Sequence, residues 1–438
     1  MPLILLFFHH SFPDPTIGSA FVVVIAFLIG PSIKNGIDTI ARGIDSVHSS
    51  SPPSGLSEDT DRIGFNPISQ LARSFAAIFT LGSGCSLGPE GPSVEIGAAI
   101  AYMLCGQEAN SWERRYLFLA GTAAGVSAGF GAPIAGVFFA LECGNRYLRR
   151  NAANISSDDG QGNTIEVPRL DIAAICLAAA MASIFLSFTG SGAVETLLIQ
   201  GNSYAMTSPL FELPLYLGLG VVSGGISVGF NKFREFFNDI FSGTKWARGN
   251  PIAALPSYLH PLIAGLLCGA TAVIFPQTLF AGYNFLDQVM AGNLSFGTPL
   301  LLALLLAKLL LSSISLSAGL VGGVFAPSLF FGAVAGTAYH ELAVESVTAV
   351  VDTLTSFSGG PDTYLANQLH SFVSIANAPA YATVGAAATL GALFRAPLTS
   401  SMLMFEITQN HDIVLPVLAS TGLGGLVAEI LSHPRKQW

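Results

Sequence analysis

Residues 88–92, Gly-Pro-Glu-Gly-Pro, place one carboxylate, that of Glu90, between two glycines and two prolines. The flanking segments, LGSGCSL before it and SVEIGAAIAYML after it, are mostly apolar or small. A charged side chain at membrane depth is costly and usually marks an ion path or a proton relay. Glycine and proline would break a helix here and free backbone N–H groups, which suit an anion at the start of the next helix. A carboxylate tethered beside such a site could compete with that anion, which is the outline of a gate.

The composition is that of a polytopic membrane protein. Of the 438 residues, 51% are apolar and 10% are charged, whereas soluble domains carry about 25% charged residues. This argues against a soluble enzyme. The formal net charge of −9 says little about partners, because we expect most charges to lie in loops. Four of the five cysteines lie in apolar segments and none forms a CxxC pair, so we expect buried thiols rather than a disulfide framework.

Nine apolar segments of spanning or near-spanning length set the architecture. Gly or Pro interrupts several of them, and they lie at about 17–30, 69–104, 115–141, 170–190, 212–230, 258–276, 298–340, 372–405 and 413–431. We predict a divergent or truncated N-terminal segment with an early helix and a polar loop, a first membrane repeat, a connecting interfacial segment and a second membrane repeat, at 1–67, 68–230, 231–256 and 257–438. We expect no signal peptide and no C-terminal soluble domain.

An internal repeat links two distant parts of the chain. GPEGPSVEIGAAIA at 88–101 aligns with GVFAPSLFFGAVAG at 323–336, and this alignment sets Glu90 opposite Phe325. Further on, APIAGVFFALE at 132–142 aligns with APLTSSMLMFE at 396–406, so that both stretches end in Glu. Each half thus has a helix-breaking Gly/Pro motif and then a helix led by Ala-Pro. Corresponding interrupted segments in two halves indicate a binding site near the membrane midplane.

Three stretches carry a family resemblance: GPEGPSVEIG, SAGLVGGVFAPS at 317–328 and GALFRAPLTSSMLMFEIT at 391–408. They resemble the signature regions of the CLC family of chloride channels and proton/anion exchangers. The first looks most like the plant, algal and cyanobacterial branch that lacks C-terminal CBS domains. The resemblance implies an all-α polytopic membrane fold of two inverted-topology repeats with tilted and broken helices. It also implies a homodimer with one pore per subunit.

The resemblance also implies roles for individual residues. Glu90 matches the gating glutamate, and Val324 and Phe325 match positions whose backbone N–H groups coordinate the central anion. Arg73, which lies 17 residues before Glu90, matches a cation that makes the pore electropositive. The residues expected at the anion site are Gly88, Pro89, Gly91, Gly323, Val324, Phe325 and His411.

This chain departs from the family pattern in three places. The inner proton-transfer glutamate of exchangers is replaced by Cys143, with Glu142 adjacent. A thiol has an unperturbed pKa of about 8.5 and is a poor proton relay near neutral pH. The coordinating tyrosine position is assigned to His411, whose ring N–H could donate in place of a phenol. The first signature motif, which tunes chloride against nitrate, is not visible.

Each assignment has a purely structural alternative. Glu90 could cap a helix N-terminus, and Arg73 could extend to the membrane interface. Glu95, Glu142 and Glu406 are each favoured as packed structural carboxylates, and His411 could simply line an interface. The pair Arg149-Arg150 is interpreted as a basic loop cluster that sets membrane topology.

The leading hypothesis is a chloride channel gated by Glu90 and influenced by voltage or pH. The alternative is an anion/proton antiporter in which Glu90 also carries the proton and Glu142 or water supplies the inner route. A membrane enzyme lacks support, because neither an HExxH motif nor a metal-spaced His/Glu cluster occurs; a non-functional or truncated paralogue is a fourth hypothesis. We expect no cofactor and no metal. The expected partners are a small anion, protons, the lipid bilayer and a second copy, with no nucleic acid, in a plastid or other endomembrane.

Overall fold

A computed structural model describes residues 67–105, 111–144, 146, 169–188, 209–243, 251–256, 259–292, 297–357 and 375–432. Almost all of the predicted N-terminal segment at 1–67 lies outside the described residues. The Arg149-Arg150 pair lies outside them as well.

The described part of the chain is helical, which confirms the predicted all-α class. It contains thirteen α-helices and no strand, and one isolated antiparallel bridge joins Gly88 to Gly323. The helices are α1 (Pro67–Gly82), α2 (Glu90–Leu104), α3 (Ser111–Phe130), α4 (Pro133–Phe139), α5 (Arg169–Phe188), α6 (Pro209–Ser242), α7 (His260–Ile274), α8 (Tyr283–Met290), α9 (Thr298–Ser317), α10 (Phe325–Phe357), α11 (Ala378–Phe394), α12 (Pro397–Thr408) and α13 (Val414–Ser432).

Glycine and proline divide the long apolar segments into separate helices. The segment at 69–104 becomes α1 and α2, and that at 372–405 contains α11 and α12. Proline opens α4 and α12, where its missing N–H costs nothing because the first helical N–H groups have no partner within the helix. Within the described part of the chain, three helical stretches are long and apolar enough to cross a membrane by themselves, namely Glu212–Ser242, Thr298–Ser317 and Val414–Ser432.

The chain forms two compact units. The first comprises the described part of Met1–Glu195 with Lys232–Ala281 and Leu310–Pro327. In it, α2, α3 and α5 pack around small and aromatic side chains. Gly97 and Gly121 let α2 and α3 approach closely, since a Cβ on Gly97 would lie 2.3 Å from the Gly121 carbonyl oxygen. The buried cluster of this unit includes Ala98, Tyr102, Phe118, Leu119, Ala120, Ala123, Ala140, Ile175 and Ala179.

The second unit comprises the described parts of Thr196–Asn231, Gly282–Leu309 and Ser328–Trp438. Its central helix is α11, which is buried from Pro379 to Ala392. A stripe of small residues brings α10 against α11, because a Cβ on Gly332 would lie 2.1 Å from the Gly385 carbonyl oxygen. Both units take segments from distant parts of the chain. The two units therefore divide the chain differently from the predicted membrane repeats and connecting segment at 68–230, 231–256 and 257–438. The repeat boundaries stay predictions.

Candidate functional site

Glu90 is the first residue of α2 and is buried, with 2% of its surface exposed. Among the described residues, neither of its carboxylate oxygens has a hydrogen-bond partner. The backbone N–H groups of Glu90 itself and of Ala326, the second residue of α10, act electrostatically on the carboxylate. A buried polar group without a hydrogen bond costs about 1–3 kcal/mol, and more when it is charged. The burial of Glu90 is therefore not explained by local packing alone.

The starts of α2 and α10 are joined by a pair of backbone hydrogen bonds within the first compact unit. The Gly88 amide donates to the Gly323 carbonyl at 2.8 Å, and the Gly323 amide donates to the Gly88 carbonyl at 2.7 Å. These are aligned positions of the internal repeat. Glu90 and Phe325, also aligned, are the first residues of their helices. The two copies of the repeat predicted from the sequence are therefore in direct contact at the candidate site.

Three glycines make this meeting possible by leaving room for backbone atoms. A Cβ on Gly91 would lie 2.8 Å from the Gly323 Cα, and one on Gly323 would lie 2.5 Å from the Gly91 amide nitrogen. A Cβ on Gly88 would lie 2.2 Å from the Glu90 Oε2. The carboxylate thus rests directly over the Gly88 backbone, where any side chain would displace it.

The two helix starts form an environment that favours negative charge. The first N–H groups of each helix have no partner inside the helix, and the helix dipole adds a partial positive charge of roughly half a unit at that end. No side chain caps α2. Its first turn and that of α10 therefore offer N–H groups to a carboxylate or to a small free anion. The arrangement can accept either one, with Glu90 as the tethered competitor.

Phe325 fixes the start of α10 through its side chain. It is buried, and its ring centroid lies 5.6 Å from that of Phe130 at the end of α3 and 5.4 Å from that of Phe139 at the end of α4. Val324, one residue earlier, is half-buried. Tilted aromatic pairs at these distances are favourable, so the three rings hold the backbone that was predicted to face the anion.

Arg73 lies beside a cavity at one edge of the same unit. The cavity has a volume of about 350 Å³ and is lined by Ala72, Arg73, Ala76, Leu316, Gly319, Leu320, Val321 and Gly322. The Arg73 side chain is 52% exposed, and its guanidinium lies 3.8 Å from the Glu95 carboxylate. The cation therefore borders the loop that leads into Gly323, with Glu95 offsetting part of its charge.

Cys143 and Glu142 lie together in a π-helical turn, Ala140–Gly144, that follows α4. Both side chains are half-buried. Arg146 donates to the backbone carbonyl of Glu142 and to the Cys143 sulfur, the latter at 3.7 Å. The predicted inner position thus carries a thiol beside a guanidinium.

His411 belongs to the second unit, in the turn between α12 and α13. Its side chain is exposed, and its ring lies 5.1 Å from that of Phe405. Its assignment to the anion site stays a prediction.

A buried polar cluster in the second unit was not predicted from the sequence. Glu212, with 3% exposed, accepts hydrogen bonds from the hydroxyls of Tyr216 at 2.8 Å and Tyr381 at 3.4 Å, and from the Ala376 amide at 3.0 Å. His340 contacts the Ala376 carbonyl at 2.9 Å. A Glu followed by a Tyr four residues later at the start of a spanning helix was the available indication.

The family model for voltage-gated chloride channels matches residues 18–429. The chain belongs to the voltage-gated chloride channel, or CLC, family. This CLC chain is 33% identical over 379 residues to chloride channel protein CLC-f of Arabidopsis thaliana, which covers 84% of the chain and 42% of that protein. It is also 33% identical over 359 residues to CLC-e of the same plant, covering 81% of the chain and 46% of that protein. The chain therefore spans less than half the length of these two relatives.

Solved structures agree on the fold. A slow cyanobacterial Cl⁻/H⁺ antiporter aligns with a TM-score of 0.61 at 21% identity, covering 96% of both chains. A eukaryotic CLC transporter aligns with a TM-score of 0.61 at 19% identity, covering 98% of this chain and 66% of the other. A CLC-type fluoride/proton antiporter aligns at 0.57 and 17% identity, covering 94% of both. This CLC chain is an integral membrane protein with the CLC fold, as the signature stretches predicted.

Proposed function

We propose that the protein carries chloride or a similar small anion across a membrane, along a path that Glu90 opens and closes. One observation supports this most strongly: the Glu90 carboxylate is buried between two helix N-termini that the repeat brings together, and it makes no fully formed hydrogen bond there. A merely capping carboxylate would be hydrogen-bonded to the first amides of its helix. A gate needs a carboxylate that the site favours but does not hold tightly.

The mechanism follows from competition for one positive region. When Glu90 is ionised, its charge occupies the space that an anion would need. A higher anion concentration displaces it by mass action, because only one negative charge is accommodated there. Protonation removes the charge of Glu90 and with it the attraction to the helix N-termini. Acid and external anion should therefore both favour the open position.

We propose the channel hypothesis as the first candidate. A coupled exchanger needs a proton acceptor on each side of the membrane, and at the inner position this chain has Cys143. An unperturbed thiol titrates near about 8.5 and is almost entirely neutral at pH 7. A neutral thiol neither accepts nor attracts a proton, so anion flow would proceed without proton counterflow.

The second candidate is an anion/proton antiporter. It is favoured by the position of Glu142, which lies in the same π-helical turn as Cys143 and is half-buried. In this version Glu142 accepts the inner proton and Glu90 the outer one. Both candidates use the same anion path and differ only in whether protons are exchanged for the anion, moving in the opposite direction.

One experiment separates the two. The purified protein is reconstituted in liposomes, a chloride gradient is imposed, and internal pH is recorded with a trapped dye. The channel candidate predicts chloride flux without uphill proton movement. Uphill proton movement that stops in Glu142→Gln would establish the antiporter instead. If no anion flux occurs, both candidates fail and the non-functional paralogue hypothesis is supported.

We also propose that the protein acts as a homodimer in a plastid or other endomembrane, as the family resemblance implies. Counting photobleaching steps of a singly labelled protein in nanodiscs should give two steps, whereas a single step would contradict the dimer. Imaging a fluorescent fusion beside plastid and endomembrane markers tests the location. Fluorescence confined to the plasma membrane would contradict it.

A further inference from the structure

The loop between α1 and α2 leads directly into Glu90 and is itself buried. Every residue from Ser83 to Gly88 is buried. A loop inside a membrane protein is stable only when other groups bond its backbone N–H and C=O groups. Its hydrogen-bond partners therefore show what holds the gate in position.

Ser312 of α9 is one such partner, within the first compact unit. Its hydroxyl donates to the Ser86 carbonyl at 2.8 Å, and the hydroxyl oxygens of Ser86 and Ser312 are 3.1 Å apart. Both residues are buried, with 1% or less of their surface exposed. α9 thus contacts both the backbone carbonyl and the side-chain hydroxyl of Ser86, which lies 226 positions earlier in the sequence.

A second set of contacts reinforces this grip one turn further along α9. The Ser315 hydroxyl lies 3.5 Å from the Cys268 sulfur, and the Cys85 sulfur lies 3.3 Å from the Ser83 hydroxyl. Positions three apart share one face of a helix, so α9 presents two hydroxyls toward the loop and α7.

The loop contact reaches the gate through Gly88, two residues after Ser86. Gly88 forms both backbone bonds to Gly323 and lies directly beneath the Glu90 carboxylate. A shift of Ser86 would move this surface and the start of α2 relative to α10. The space that the Glu90 carboxylate occupies therefore depends on the hydrogen bond from Ser312 of α9 to Ser86. Among the contacts described, α9 itself has none with Glu90.

We propose that Ser312 is a positioning residue for the gate. Its hydroxyl holds the loop in the arrangement that lets the ionised Glu90 carboxylate occupy the space between the two helix starts. The inference rests on the proposed gating role of Glu90. Loosening the loop destabilises the closed state, in which the Glu90 carboxylate fills the site, more than the open state. Only the closed state requires the carboxylate to fit over Gly88.

Ser312→Ala should shift the gate toward its open state. Ser312→Ala removes the donor to a buried carbonyl, and we expect the open-to-closed ratio to rise about 3- to 10-fold. Ionised Glu90 closes the anion path, and protonated Glu90 moves out of it. When the closed state is less stable, the path therefore opens at a lower proton concentration. With one proton coupled to opening, the midpoint of the pH profile of chloride flux should move by about 0.5–1 unit toward higher pH.

Three variants make the test specific to the hydroxyl. Ser312→Thr keeps the donor and should restore the wild-type midpoint. Ser86→Ala removes only the contact between hydroxyls and should shift the midpoint less than Ser312→Ala. Ser317→Ala, on the same helix, removes an exposed hydroxyl-to-carbonyl bond to Arg234 and should leave the midpoint unchanged. A purely structural role would lower expression or flux without moving the midpoint.

The experiment is chloride flux from liposomes between pH 4.5 and 8.5, with Glu90→Gln as the reference for a gate that no longer titrates. A wild-type midpoint in Ser312→Ala, alongside a pH-independent Glu90→Gln, would overturn the positioning role and leave the gate intact. A wild type without pH dependence would instead overturn the proposed gating by Glu90. If Ser312→Ala does not fold, Ser312→Cys, a weaker donor, takes its place, and an unshifted midpoint there overturns the inference equally.

Discussion

Gly323→Ala tests whether the close approach of two helix starts builds the anion site. The added Cβ would lie 2.5 Å from the Gly91 amide nitrogen, 3.1 Å from the Gly91 Cα and 3.2 Å from the Gly88 carbonyl oxygen. All three are backbone atoms, so no side chain can move aside. An ordinary contact needs at least about 3.4 Å, so the two helix starts must separate by roughly 0.9 Å.

This separation would break the Gly88–Gly323 bridge. Its two hydrogen bonds measure 2.8 and 2.7 Å, and a shift of roughly 0.9 Å along them takes them to about 3.7 and about 3.6 Å, beyond hydrogen-bonding range. Two buried bonds left unmade cost about 2–6 kcal/mol in the free energy of unfolding. Because the N–H groups of both helices no longer converge, we also expect chloride affinity to fall at least about tenfold, which corresponds to about 1.4 kcal/mol.

The assay is thermal unfolding in detergent together with isothermal titration of chloride. Gly225→Ala is the matched control, because its Cβ would meet nothing within 4 Å. In the interior of α6 this change should be neutral or stabilise the protein by up to about 1 kcal/mol. Wild-type stability and wild-type chloride affinity in Gly323→Ala would refute the argument that glycine is needed for this approach.

Two further predictions concern other parts of the molecule. Glu212→Ala should lower the free energy of unfolding by about 3–5 kcal/mol, because it leaves two buried tyrosine hydroxyls and the Ala376 amide without their acceptor; thermal unfolding measures this, and a loss no larger than in the exposed control Glu235→Ala would contradict it. Cys143→Glu should introduce proton movement coupled to chloride if the channel hypothesis is correct, since it supplies an inner acceptor; internal pH in liposomes measures this, and chloride flux that remains uncoupled would contradict the assignment of the inner position.

The local elements of the site could be predicted from the sequence because they depend on backbone chemistry. Glycine and proline around Glu90 predicted a helix start there, and α2 begins at Glu90. The repeat set Gly88 opposite Gly323, and these residues pair directly. The second alignment also agrees with the backbone conformation. Ala132 and Ala396, which precede the aligned helices α4 and α12, have similar φ values of −119° and −128°.

The long-range contacts could not be predicted in the same way. The bond from Ser312 to Ser86 and the cluster around Glu212 join residues more than 150 positions apart. Serine and tyrosine are common in apolar helices, and their partners depend on how the helices pack rather than on local spacing. The resemblance to the family predicted positions on the anion path but gave no information about the residues that support them.

The central claim is that Glu90 is the gate, and the pH dependence of chloride flux from liposomes tests it most directly. If Glu90 is the gate, flux rises as pH falls in the wild type and in Glu235→Ala, and flux is high at every pH in Glu90→Ala. A Glu90→Ala protein that is folded and retains the wild-type pH response would contradict it.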